Sequence, residues 1–153
     1  FNESFAEYVG DVMTDRWVVE RFGRGAPEQL AWVISQATSA ARVARMFAAY
    51  RELDELYKSK QDDKAKLAQK QKLIDELVAA LRLRRRPNNA SLVELRVYRA
   101  GGTTLGEAHR ACGDLRKLIT VAKSLNRGDF DKDLQEDLKP ISEKLAERCA
   151  AQK

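Results

Sequence analysis

Residues 27–59 read PEQLAWVISQATSAARVARMFAAYRELDELYKS, and this stretch decides the fold. Pro27 stands where the first turn of a helix tolerates proline, and Glu28 places an acid at the positive end of the helix dipole. From there Leu30, Val33, Ile34, Ala37, Ala41, Ala44, Phe47, Tyr50, Leu53 and Tyr57 recur at helical intervals. The spacing predicts one long helix running to about residue 59, with alanines that let a neighbouring helix approach closely.

The next segment supplies that neighbour. Asp62 and Asp63 can cap a second helix, on which Leu67, Ile74, Leu77, Val78 and Leu81 form the inward face. Two long helices joined by so short a link form an antiparallel hairpin. Pro87 is expected to end the second arm, because the residue before a proline is pushed out of helical geometry.

Working outward, residues 2–22 carry Phe5, Tyr8, Val9, Val12, Met13, Trp17, Val18 and Phe22 as an apolar stripe, closed by Gly23-Arg24-Gly25. That aromatic stripe is expected to be core. On the other side, Asn88 or Asn89 can cap a helix over 90–99 that ends at Gly101-Gly102. Thr104 to Glu107 has the pattern of a capping box. Cys112-Gly113-Asp114 looks like a break and restart before Leu115, Leu118, Ile119, Ala122 and Leu125, and Asn126-Arg127-Gly128 stops that helix. The tail repeats Leu134, Leu138, Ile141, Leu145 and Cys149, with Pro140 as a start or kink. The expected fold is all-α: a long hairpin followed by shorter helices over 1–125, then a helical tail, 126–153, that docks loosely.

Composition agrees. The 153 residues include 21 Ala and 17 Leu against 10 Val, 4 Ile and 5 Thr, which favours helices over a sandwich or barrel. With 44% hydrophobic and 33% charged residues the chain can bury a core, so pervasive disorder is excluded. The longest uncharged runs are about a dozen residues, short of the roughly 20 a bilayer crossing needs. The chain opens Phe1-Asn2-Glu3 without Met and without a signal-peptide pattern, and is read as a fragment.

Chemistry is tightly bounded. His109 is the only histidine, so a His-based metal site or a catalytic triad cannot be assembled from this chain alone. Cys112 and Cys149 lack Cys-x-x-Cys spacing, which leaves two structural thiols or one disulfide open. The net charge of +5 is uneven: residues 1–25 hold five acids and three bases, while 58–72 hold six lysines and two aspartates. Arg82, Arg84, Arg85 and Arg86 could contact phosphates, but no aromatics are interleaved for base stacking. Nucleic acid is therefore not expected as a partner.

The first residues carry a resemblance. Phe1-Asn2-Glu3-Ser4-Phe5-Ala6 resembles the glutamate-bearing helix of gluzincin metallopeptidases, whose motif reads Leu-Asn-Glu-Gly-Phe-Ala. The order that follows is similar to the bacterial predicted-aminopeptidase family up to about residue 125: Arg16-Trp17, the Ala- and Arg-rich helix with Tyr50-Arg51, Asn88-Asn89-Ala90, Tyr98, and Cys112-Gly113-Asp114-Leu115. The resemblance implies a zinc peptidase whose two histidine ligands and glutamate base lie on an HExxH helix that this chain lacks.

On that resemblance Glu3 is the third zinc ligand, and Glu7, one turn on, with Asn2 supports the site from behind. Tyr98 is a candidate donor to the developing oxyanion, and Asn88 and Asn89 are candidates to line the substrate cleft. Zinc belongs to the full-length parent, and none is expected in this piece, which is inactive alone. The partner is a peptide substrate, met through the missing catalytic part. The location implied is periplasmic or cell-envelope, with a lipid anchor on the parent. The alternative is a helical protein-interaction module without catalysis, presenting the hairpin to a partner.

Overall fold

The computed structural model describes residues 1–98, 102–132 and 137–151, with backbone alone at 94–98 and 102–103. The described residues form α1 (Asn2–Phe22), α2 (Pro27–Lys58), α3 (Asp63–Leu81), α4 (Asn89–Tyr98), α5 (Gly102–Cys112), α6 (Leu115–Ala122) and α7 (Lys139–Ala151), with a 3-10 turn at Arg127–Asp129. No strand occurs among them. The chain divides into two compact units, Phe1–Trp17 with Val97–Lys153, and Val18–Arg96.

In the second unit α2 and α3 pack through Ala49, Leu53, Leu56, Ile74 and Leu77, and Leu92 of α4 completes the core. Arg42 on α2 donates to the Leu81 carbonyl at the end of α3, and Lys66 near the start of α3 donates to the Tyr57 carbonyl, so α3 returns along the second half of α2. Asp62 is the N-cap, its Oδ1 accepting from the Ala65 amide at 2.9 Å. Termination differs from expectation. α3 ends at Leu81, six residues before Pro87, because Arg82 adopts the left-handed conformation (φ 48°) and the Leu83 amide folds back to the Val78 carbonyl.

Length explains a second difference. At 1.5 Å per residue, α2 spans about 48 Å and α3 about 28 Å, so the first half of α2 runs past the end of its partner. Leu30, Val33 and Ile34, expected inside, are exposed.

The first unit is built on α5, α6 and α7. Leu105, Ala108 and Cys112, then Leu115, Leu118 and Val121, then Leu138, Ile141, Leu145 and Cys149 form one buried cluster. Two local devices set the α5–α6 corner. Gly113 takes a positive φ of 76°, its amide donating to the His109 carbonyl, and Asp114 caps α6 by accepting from the Arg116 and Lys117 amides. α5 begins two residues before the expected capping box, so Thr104 lies inside the helix. The Thr104 carbonyl accepts from the hydroxyl of Ser142, which satisfies a buried polar group on α7.

Of the 126–153 tail, expected to dock loosely, Phe130, Leu138 and α7 pack into this core. Ile141 and Leu145 are fully buried against α5 and α6, Arg148 and Lys144 pair with Asp129 in the 3-10 turn, and Cys149 is disulfide-bonded to Cys112. Leu134 lies outside the described residues. Phe1, Phe5, Tyr8, Val9 and Val12 of α1 rest on the cluster. Farther along α1, Met13, Trp17 and Phe22, read from the sequence as core, are exposed, whereas Val18 is buried.

Closing a loop across a separation of 37 residues restricts the unfolded chain by up to about 4 kcal/mol. Reduction, or Cys149→Ser, is therefore expected to lower Tm markedly with helix content retained at low temperature. Calorimetry with and without reductant, alongside a thiol assay that finds no free cysteine in the oxidised protein, checks this.

Candidate functional site

α1 starts at Asn2, and its first turn is held from one side. Phe1 stacks on Phe5 with ring centroids 5.2 Å apart and meets Phe130 at 5.6 Å, while Ser4 is buried. The opposite side carries the acids. Glu3 is exposed in the first turn, and Glu7, four residues later on the same face, is half-buried. Asn2 is exposed beside Glu3. The structure thus brings Asn2, Glu3 and Glu7 together at one helix end, on backbone fixed by the core.

The other sequence candidates stand apart from them in role. Asn88 Oδ1 accepts from the Ser91 amide at 2.9 Å and so caps α4. Asn89 is engaged with the Tyr57 hydroxyl, its Nδ2 lying 3.1 Å from that oxygen. Both asparagines belong to the second unit. Tyr98 is the last residue of α4, and its side chain lies outside the described residues. Part of the basic stretch is used internally: Arg86 pairs with Asp75 and donates to the Gln71 carbonyl, Lys72 pairs with Glu76, and Lys70 lies over the Tyr57 ring.

The donor set limits what metal the chain can hold. Both cysteines are in the disulfide and the one histidine is engaged elsewhere. Among the described residues no group of three or more His, Cys, Asp or Glu is arranged to hold an ion. Glu3 offers one exposed carboxylate, and the described residues hold no complete zinc site.

One constellation escaped the sequence reading. His109 on α5 has its Nδ1 2.8 Å from the Tyr8 hydroxyl, across 101 residues of chain, with the rings edge-to-face at 5.9 Å. Burial depresses the His109 pKa below its ordinary 6.5, the Arg16 charge adds to this, and Asp114 opposes it. The imidazole is therefore neutral at pH 7. Burial raises the Tyr8 pKa, against the pull of Arg110 and Arg16. No local pattern links residues 8 and 109; the helical phase placing both on inward faces is the only available signal.

Gly106 lies beneath this pair. A Cβ there would sit 3.8 Å from Arg110 Nη1 and 3.9 Å from the Tyr8 hydroxyl, ordinary contact distances. Packing does not require glycine at this helical position, which costs about 1 kcal/mol relative to alanine.

The fold and these residues define an all-α protein with a surface carboxylate pair and a Tyr–His pair, and without a full metal-ligand set among the described residues. The family model described as "Putative aminopeptidase" matches residues 1–136, and the chain belongs to that family. The match extends into the tail, beyond residue 125 where the resemblance was expected to stop. No curated protein and no solved structure matches the chain.

Two measurements follow from this geometry. Gly106→Ala is expected to stabilise the protein by up to about 1 kcal/mol in urea denaturation. The lowered His109 pKa makes its contribution to stability complete above pH 6.5 and lost as pH falls below that value, since the unfolded chain then binds the proton more readily. His109→Gln is expected to flatten the dependence of Tm on pH through this window.

Proposed function

We propose that the chain is the helical part of a bacterial zinc-dependent aminopeptidase of gluzincin type, in which Glu3 supplies one carboxylate ligand to the metal. The observation that carries this reading is the placement of Glu3: an exposed carboxylate in the first turn of α1, on backbone anchored by the Phe1–Phe5 stack. A ligand on a rigid element is held where a metal needs it. Membership of the aminopeptidase family supplies the reaction class.

The roles of this chain's residues follow. Glu3 offers its carboxylate, and Glu7, one turn along, orients a neighbouring ligand from behind, with Asn2 at the helix start beside them. Zinc, when bound, polarises the peptide carbonyl and lowers the pKa of water. With one histidine, itself engaged by Tyr8, the other ligands come from residues outside this chain, and the chain alone is inactive. Tyr98 is assigned as hydrogen-bond donor to the carbonyl oxygen of the substrate as it gains charge. The Cys112–Cys149 disulfide supports an oxidising location such as the periplasm or cell envelope, where a lipid-anchored parent would meet peptides.

The test uses the protein that carries this chain. Glu3→Ala is expected to lower zinc content and reduce hydrolysis of aminoacyl p-nitroanilides on the order of a hundredfold or more, with the circular dichroism of the helices unchanged. Tyr98→Phe is expected to lower kcat by about ten- to a thousandfold at unchanged zinc content. Wild-type zinc stoichiometry and turnover in Glu3→Ala would remove the ligand assignment.

A further inference from the structure

We propose that Arg110, which with the Tyr8 hydroxyl flanks the bare backbone of Gly106, forms with the charge of Arg16 a binding site for an oxyanion, the carboxylate or phosphate group of a small ligand. This is independent of the zinc reading.

Three observations meet there. The first is charge held in no ion pair. Arg148, Arg86 and Arg45 are each ion-paired, to Asp129, Asp75 and Glu52. Among the described residues neither Arg16 nor Arg110 forms an ion pair, yet the charges of both act on Tyr8, and that of Arg16 also acts on His109. The acid nearest in effect is Asp114, which feels the Arg16 charge without pairing with it and whose carboxylate already accepts from the Arg116 and Lys117 amides. Two cations against the one carboxylate of Asp114 leave net positive charge around a neutral imidazole, which favours an anion.

The second is room. Arg110 Nη1 and the Tyr8 hydroxyl both lie within 4 Å of the point where a residue 106 side chain would begin, and that residue is glycine. Alanine would fit there and suit the helix better, so the glycine keeps the space between guanidinium and hydroxyl clear. The third is hydrogen-bonding capacity. When the Tyr8 hydroxyl donates to Nδ1, the neutral His109 carries its proton on Nε2, a donor for a ligand oxygen. The planar fork of Arg110 matches a carboxylate or phosphate face. Tyr8 and His109 sit on helices packed on one core, so the donors are held before a ligand arrives.

The single histidine gives an unambiguous reporter. The His109 ring signal is followed by NMR during titration with sodium phosphate and, separately, sodium acetate, with sodium chloride at matched ionic strength as control. A saturable shift with at least one oxyanion, with a rise in the His109 titration midpoint when it is bound, is the expected result. Saturation by acetate assigns the ligand to carboxylates, such as a peptide terminus; saturation by phosphate assigns it to phosphoryl groups. Arg110→Gln and the fold-compatible Gly106→Ala should each raise Kd by about threefold or more. A response to both oxyanions no different from chloride, or a Kd unchanged in both variants, overturns the proposal.

Discussion

The burial of one face of α7 against α5 and α6 is the constraint on which the first unit depends. Ile141, Leu145 and Cys149 fill the space between the two shorter helices, neither of which is long enough to be stable by itself. The disulfide to Cys112 and the hydroxyl of Ser142 on the Thr104 carbonyl fix α7 along α5 at two points. Asp129 then gathers Arg148, Lys144 and the Asn126 amide into the turn that precedes α7. These contacts hold the Asp129 carboxyl below the usual carboxylate range, the Asn126 amide first and Arg148 after it, with burial opposing. With that core in place, α1 has a surface to lie on, and Glu3 and Tyr8 acquire fixed positions.

Much of this was legible because helix punctuation is local chemistry. Asp62, Asn88 and Asp114 cap helices by hydrogen bonds that reach only two or three residues, so the sequence states them directly. The all-α class and the starts of α2 and α3 follow from the same signals. The end of α3 was not legible, since an arginine in the left-handed region carries no glycine-like signature and Pro87 is the louder signal.

What depends on tertiary length was hidden as well. The stripe of α2 from Leu30 to Ile34 has the same periodicity as its buried second half, and only the shorter α3 decides that it is exposed. On α1 the exposed Met13, Trp17 and Phe22 share a periodicity with the buried Val18, so spacing alone does not separate them. The tail was underestimated because a periodic segment says that it has an apolar face, not what covers it. Of the candidate site, the carboxylate pair on α1 was readable from i,i+4 spacing, whereas the Tyr8–His109 bond joins residues that only the packed core brings together.

Two sides of α1 do different work: one faces the core and carries Tyr8 to His109, the other carries the exposed Glu3 and the half-buried Glu7. The proposed function stands or falls with the exposed Glu3 carboxylate as a metal ligand. Anomalous diffraction at the zinc edge, on crystals of the zinc-loaded protein that carries this chain, tests it most directly. The account predicts a zinc peak about 2.0–2.2 Å from a Glu3 carboxylate oxygen. A zinc fully coordinated by other residues, with Glu3 turned to solvent, would contradict it.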